Sequence, residues 1–153
     1  MKILIFLSFF FSALSVFSQS DAFRMKQYNL DDHEGIKGYD PVCYFTENKA
    51  VKGEKELVYS YHGIVYHFAT GADMELFKAD PSKYEPQYGG WCAYSMGHDG
   101  SKVIVDPATF KIINGRLYLF YNWFFNNTLK SWNKNEANLL VQADANWQKI
   151  LQK

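Results

Sequence analysis

Two short hairpin signals place the strongest constraint on the fold of this chain. In each, two runs rich in β-branched and aromatic residues flank a dipeptide that ends in glycine, and such dipeptides favour two-residue hairpin turns. The runs are residues 57–61 with 64–68 around His62-Gly63, and residues 111–113 with 116–121 around Asn114-Gly115. The sequence therefore predicts a small antiparallel sheet built from two hairpins.

A two-residue turn also fixes the register of the first hairpin. The predicted pairs are Tyr61–Ile64, Tyr59–Tyr66 and Leu57–Phe68. Because side chains alternate between the two faces of a strand, these residues form one apolar, aromatic face, and His67 lies on the opposite face. The aromatic face is predicted to pack in the core.

Helical signals follow each hairpin. Thr70 with Asp73 three residues later resembles a capping box and predicts a central helix that runs through Ala79. A second helix near the C-terminus is predicted from an apolar stripe that would pack on the sheet. Its members are Leu139, Ala143, Trp147, Ile150 and Leu151. Residues 41–45 resemble a short strand, so the predicted fold class is α+β.

The N-terminus has the pattern of an export signal. Lys2 precedes fifteen mainly apolar residues, 3–17, and Val16 and Ser18 suit the small-residue positions of a cleavage site. A transmembrane helix needs ~20 apolar residues, so residues 1–18 are predicted to be a signal peptide, with an uncleaved anchor as the alternative. Cleavage would leave no transmembrane segment in an exported protein, either periplasmic or secreted.

The rest of the chain divides into a polar lead-in, residues 19–37, and one domain, residues 38–152. Sixteen Lys and Arg balance sixteen Asp and Glu, whereas nucleic-acid-binding proteins normally carry a basic surface. No nucleophile elbow, zinc-protease, P-loop or dinucleotide-binding motif is present. We therefore expect a folded domain that is not an enzyme and has no nucleic-acid partner.

The order of several short motifs resembles a YHS domain. The segments GG-x-C-A at residues 89–93 and GRLYL at residues 115–119 are specific when they occur together. The other matching residues are Gly38-Tyr39-Asp40-Pro41-Val42, Tyr44-Phe45, Gly63, Tyr66, Phe68, Phe77, Pro81, Tyr84, Pro86-Gln87-Tyr88, Asp106-Pro107, Ala143-Asp144 and Trp147. The resemblance implies a small α+β fold that serves as a metal-binding or accessory module.

Metal-binding members of this family look like D-P-V-C followed by F-C-S-x-x-C. This chain keeps the first motif up to Cys43, but Ala69 and Asp73 stand at the two cysteine positions of the second. Soft metal sites need several thiolate or imidazole ligands. The resemblance therefore does not imply an intact thiolate site.

Cys43, Cys92 and His98 are the candidate ligands that remain, with copper or zinc as the candidate ions. On a strand, Cys92 and His98 would share a face but lie ~20 Å apart, so a common site requires the chain to turn. The two cysteines have two further interpretations. They form a disulfide, which suits an oxidising compartment, or they are separate buried thiols.

The sequence thus predicts an exported, non-enzymatic YHS-type binding module whose partner is a transition-metal ion or an unknown protein. The alternative is a metal-free secreted domain, stabilised by a Cys43–Cys92 disulfide. That domain would bind a partner or a small apolar ligand through an aromatic glycine loop. The loop residues are Tyr84, Tyr88, Gly89, Gly90, Trp91 and Tyr94.

Overall fold

The computed structural model describes residues 20–153, so the predicted signal peptide lies outside the described residues. Helices and short sheets alternate along the chain, which confirms the α+β class. The helices are α1 Asp21–Gln27, α2 Cys43–Thr46, α3 Gly71–Ala79, α4 Pro81–Tyr84, α5 Ala93–His98, α6 Thr128–Trp132 and α7 Glu136–Leu151. The strands are β1 Leu30–Asp31, β2 Glu34–Gly35, β3 Glu54–Tyr61, β4 Ile64–Phe68, β5 Asp106–Ile113, β6 Arg116–Phe120, β7 Asn122–Trp123 and β8 Asn126–Asn127.

Both predicted hairpins are present, but they do not share one sheet. The first belongs to a four-stranded sheet of order β1-β2-β4-β3, and the second forms the separate pair β5-β6. The four-stranded sheet is mixed, because β2 runs parallel to β4. The prediction of a single antiparallel sheet is therefore wrong, although both hairpin turns are confirmed.

The first hairpin departs from its predicted register beyond the first few pairs. Tyr61 pairs with Ile64 and Tyr59 with Tyr66, as predicted. A bulge between Glu54 and Val58 then shifts the register, so that Phe68 pairs with Glu54 rather than with Leu57. From Val58 to Glu54 the chain advances four residues while the partner strand advances one, so three extra residues of β3 move the later pair.

Residues 41–45 do not form the predicted strand. Cys43–Thr46 is one turn of α-helix. The backbone N–H of Val42 donates to Asp40 Oδ1 at 2.7 Å, and a side chain that bonds its own backbone two residues on turns the chain away from an extended path. This turn places Cys43 at the start of α2.

The predicted C-terminal helix is confirmed as α7, and its apolar stripe packs mainly on α5. Leu139 and Ala143 are buried together with Met96 of α5 and Phe120 of β6. The helices approach closely at Gly97, where a Cβ atom would lie 2.5 Å from the carbonyl oxygen of Leu139. The stripe therefore packs mainly against helix α5, rather than directly on a sheet as predicted.

The segment predicted as a polar lead-in is attached to the domain. Strands β1 and β2 extend one edge of the four-stranded sheet. Arg24 of α1 forms a largely buried ion pair with Glu85. Within residues 20–153, no helix is both long enough and apolar enough to cross a bilayer.

Candidate metal centre

Three side chains from two distant parts of the sequence meet in the fold. One ligand atom each of Asp40, Cys43 and Asp73 lies within 4.8 Å of the other two. Within the described part of the chain, this is the one group of three or more potential metal ligands at such a spacing. The group combines one sulfur with two carboxylates.

Asp40 is fully buried, and both of its carboxylate oxygens accept backbone hydrogen bonds. Its Oδ1 accepts from the N–H of Val42 at 2.7 Å, and its Oδ2 accepts from the N–H of Ala69 at 2.6 Å. Burial raises the pKa of this carboxyl, although both hydrogen bonds act in the opposite direction. Each carboxylate oxygen can accept a second interaction, so a cation could still bind here and offset the cost of the buried charge.

Cys43 is also fully buried, and its surroundings are acidic. Its Sγ lies 3.7 Å from Glu47 Oε1. Burial raises the pKa of the thiol strongly, and the charges of Asp40, Asp73 and Glu47 raise it further. The thiol is therefore neutral at physiological pH, which makes it a poor nucleophile, whereas a bound cation would favour the thiolate.

Asp73 approaches the group from the first turn of α3. The predicted capping box is confirmed, since the Asp73 N–H donates to Thr70 Oγ1 at 3.1 Å and begins the helix. The Thr70 hydroxyl in turn donates to Asp73 Oδ2 at 2.6 Å. Asp73 is half-buried, so this carboxylate forms the side of the group that faces solvent.

The structure does not bring Cys92 or His98 to this group. Cys92 directly precedes α5, and its Sγ accepts from the N–H of Tyr121 at 3.3 Å and lies 3.4 Å from Thr128 Oγ1. His98 is exposed at the end of α5 and stacks on Tyr94. A helix rather than a strand follows Cys92, so the alternation considered for these residues does not apply.

The two cysteines are free and buried, with no bond between them. The disulfide of the alternative interpretation is therefore absent from the structure. Each sulfur instead has its own polar neighbours, Glu47 beside Cys43 and Thr128 beside Cys92.

We expect the native protein to react slowly with iodoacetamide at pH 8, because Cys43 and Cys92 are both buried and the pKa of the Cys43 thiol is raised. In denaturant without reductant, both thiols should be alkylated, and intact mass would count two added groups. A denatured protein that takes up no alkyl group would contradict this prediction and restore the disulfide.

The aromatic glycine loop is closed by other parts of the fold. Tyr88 and Gly89 are buried, and a Cβ atom at Gly89 would lie 3.0 Å from Tyr28 and from Trp147. The indole N–H of Trp91 donates to the carbonyl oxygen of Gln27 at 2.7 Å. The N-terminal segment and α7 therefore cover the loop that the alternative interpretation offered to a ligand.

Sequence reasoning named Cys43 but missed both of its acidic partners. The signal for Asp73 was present, because this residue stands at a cysteine position of the metal-binding motif. An aspartate at this position removes a thiolate but supplies a carboxylate, which is also a metal ligand. Asp40 begins the D-P-V-C motif, but an aspartate before a proline is common in turns, so its position alone did not mark it as a ligand.

Residues 40–88 match the family model of the YHS domain. This segment of the chain is thus similar to a YHS domain. The match begins at Asp40 and spans all three members of the Asp40–Cys43–Asp73 group, and YHS domains are associated with metal binding in general. Comparisons with curated proteins and with solved structures give no match.

Proposed function

We propose that this protein is an exported, non-enzymatic YHS module that binds a divalent transition-metal ion through Asp40, Cys43 and Asp73. The observation that carries the proposal is the convergence of one thiol and two carboxylates within 4.8 Å. Zinc ligands lie ~2.0–2.3 Å from the ion. Ligand atoms that are within 4.8 Å of one another are therefore close enough to bind one ion after a small adjustment.

The donor types favour zinc over monovalent copper. Cu(I) prefers several soft sulfur ligands, whereas zinc accepts a mixture of thiolate and carboxylate. Cys43 supplies one sulfur, and Asp73 supplies an oxygen where metal-binding YHS motifs have another sulfur. The exchange of cysteine for aspartate therefore supports a harder, zinc-like ion at the same place in the fold.

Each residue has a distinct part in binding. Cys43 gives up its proton when the ion binds, because a coordinated thiol is deprotonated. Asp40 is already fixed by two backbone N–H groups, so it loses little conformational freedom on binding. Asp73, at the solvent side, is the residue beside which an additional ligand could approach.

Export is supported by the pattern of residues 1–18 alone, with its charged start, apolar run and small residues at the cleavage site. Mass spectrometry of the exported protein tests this prediction, because cleavage at the predicted position gives a chain that begins at Gln19. A mass that includes Met1 or Lys2 would overturn the cleavage.

Titration with Co²⁺, a spectroscopic substitute for zinc, is the direct test of the site. We expect one ion per chain and an absorption band from thiolate-to-cobalt charge transfer. Cys43→Ser should abolish the band and weaken binding by about 100-fold or more, since losing even an outer-shell partner of a metal ligand costs ~10–100-fold.

Cys92→Ser is the matched control, because Cys92 is equally buried but lies outside the Asp40–Cys43–Asp73 group. It should keep the band and the affinity. Asp73→Asn should keep the band with weaker binding, because the sulfur remains while a charged ligand is lost. A band that survives in Cys43→Ser, or an absence of binding by the unaltered protein, would overturn the proposal.

A further inference from the structure

An aromatic hairpin projects from the domain far from the Asp40–Cys43–Asp73 group in sequence. Strands β7 and β8 pair through Asn122 with Asn127 and Trp123 with Asn126, which leaves Phe124 and Phe125 as a two-residue loop. The exposed fractions rise from 65% at Trp123 to 85% at Phe124 and 104% at Phe125. The three rings therefore point away from the fold.

The backbone conformation of this turn does not favour phenylalanine at position 124. The other three hairpins place Asp32-His33, His62-Gly63 and Asn114-Gly115 at their positive-φ turn positions. Phe124 adopts φ +50 in the fourth hairpin. This left-handed conformation is energetically unfavourable for a residue with a Cβ atom.

Packing within the domain does not offset that cost. The ring contact of Phe124 is with Trp123, itself largely exposed, at 5.5 Å between centroids. Single exposed apolar residues are common on proteins, but three consecutive aromatic residues at a loop tip are a continuous apolar surface. Ile104, 56% exposed, lines a surface cavity together with Trp123, and the charged residues Lys37 and Asp106 line the same cavity.

The charges along this part of the chain have one sign. No acidic residue occurs between Asp106 and Glu136. Lys130 and Lys134 follow the hairpin and are exposed, and neither is among the ion pairs of the described residues. The aromatic tip is therefore followed in sequence by free cations.

We propose that the Trp123–Phe124–Phe125 tip inserts into the surface of an anionic lipid bilayer. Tryptophan favours the bilayer interface, phenylalanine favours the adjoining acyl region, and lysine is attracted to anionic headgroups. Stable attachment to a membrane needs two signals, and an apolar tip that is followed in sequence by exposed lysines supplies one of each kind.

A projecting tip fits a bilayer better than a protein partner. Stable protein interfaces bury ~800 Å² on each partner, which needs a broad surface rather than three residues at a loop end. The fluid interface of a bilayer accommodates a narrow projection without a preformed pocket. This inference uses none of the proposed metal ligands, so either proposal can fail alone.

Sedimentation with vesicles tests the insertion. The full chain would be mixed with vesicles of phosphatidylcholine alone or with added phosphatidylglycerol. We expect binding to the anionic vesicles, and a loss of at least about tenfold in the triple variant W123S/F124S/F125S, equivalent to ~1.4 kcal/mol.

A Leu76→Ser/Val141→Ser variant is the matched control, because it removes exposed apolar side chains elsewhere, 45% and 69% exposed. All variants keep the same N-terminus, so any contribution from residues 3–17 is common to them. Equal binding by the triple variant and the unaltered protein would overturn the proposal, as would equal binding to neutral and anionic vesicles.

Quenching by brominated lipids provides a second readout that does not depend on the triple variant folding. Trp123 is the one exposed tryptophan of the four in the chain. Its fluorescence should be quenched in bound protein, and Trp123→Phe should still bind but lose the quenching. Quenching that persists in Trp123→Phe would place another part of the chain in the bilayer and overturn the insertion of this tip.

Discussion

Replacing Phe77 with alanine is expected to lower the free energy of unfolding by about 3–5 kcal/mol. Phe77 is fully buried in α3, and its ring lies 4.8–6.4 Å, between centroids, from five other aromatic rings. These rings belong to Tyr59, Tyr61, Tyr66, Phe68 and Tyr84. Alanine would leave a cavity that five large, mutually packed side chains cannot close.

Leu76→Ala is the control on the same helix, because Leu76 is 45% exposed. It should change stability by no more than ~0.5 kcal/mol. Urea unfolding followed by tryptophan fluorescence would measure both variants. Similar midpoints for Phe77→Ala and Leu76→Ala would show that the aromatic cluster is not the main source of stability around α3.

The same substitution should affect metal binding indirectly. Asp73 lies one helical turn before Phe77 on α3, so a shift of this helix in Phe77→Ala should also move Asp73. At a temperature where Phe77→Ala is still folded, we expect weaker Co²⁺ binding with the thiolate band retained, because Cys43 lies on α2.

Local signals in the sequence were reliable where the deciding interactions are local. The turns at His62-Gly63 and Asn114-Gly115 and the cap formed by Thr70 and Asp73 depend on residues within a few positions of each other. The structure confirms them, together with helix α7. In each case the residue types determine the hydrogen-bonding pattern.

The sequence did not indicate interactions between distant segments. The parallel pairing of β2 with β4 depends on residues about 30 positions apart, and Glu34 and Gly35 carry no strand signal of their own. The turn at Asp40, which replaces the predicted strand, is likewise completed by the N–H of Ala69, 29 residues away. Such contacts are decided by packing rather than by local preference.

The candidate metal centre depends on both local and long-range interactions. The D-P-V-C motif pointed to Cys43, because thiolates are recognisable ligands in a short motif. The choice of Cys92 and His98 as partners rested on residue type and spacing, and neither belongs to the group that the structure forms around Cys43. The partners could be found from sequence only by treating Asp73 as a substituted ligand.

Asp40→Ala is expected to be the most damaging change at the candidate metal centre, and to lower the free energy of unfolding by about 2–6 kcal/mol. The buried carboxylate accepts from the N–H groups of Val42 and Ala69, and each buried donor left without a partner costs ~1–3 kcal/mol. Asp31→Ala is the control, because Asp31 is exposed at the sheet edge, and it should be nearly neutral. Thermal unfolding followed by circular dichroism would measure both.

Asp40→Asn separates the structural role of this residue from its role as a ligand. Its carbonyl oxygen can still accept one of the two N–H groups, so the loss of stability should be smaller than in Asp40→Ala. A neutral amide is a weaker ligand than a carboxylate, so Co²⁺ affinity should fall while the Cys43 charge-transfer band remains. If Asp40→Asn binds Co²⁺ as tightly as the unaltered protein, Asp40 only shapes the turn that presents Cys43, and the ion is held by Cys43, Asp73 and solvent. If affinity falls although the variant remains folded, the buried carboxylate binds the ion directly, and the cation offsets the cost of its burial.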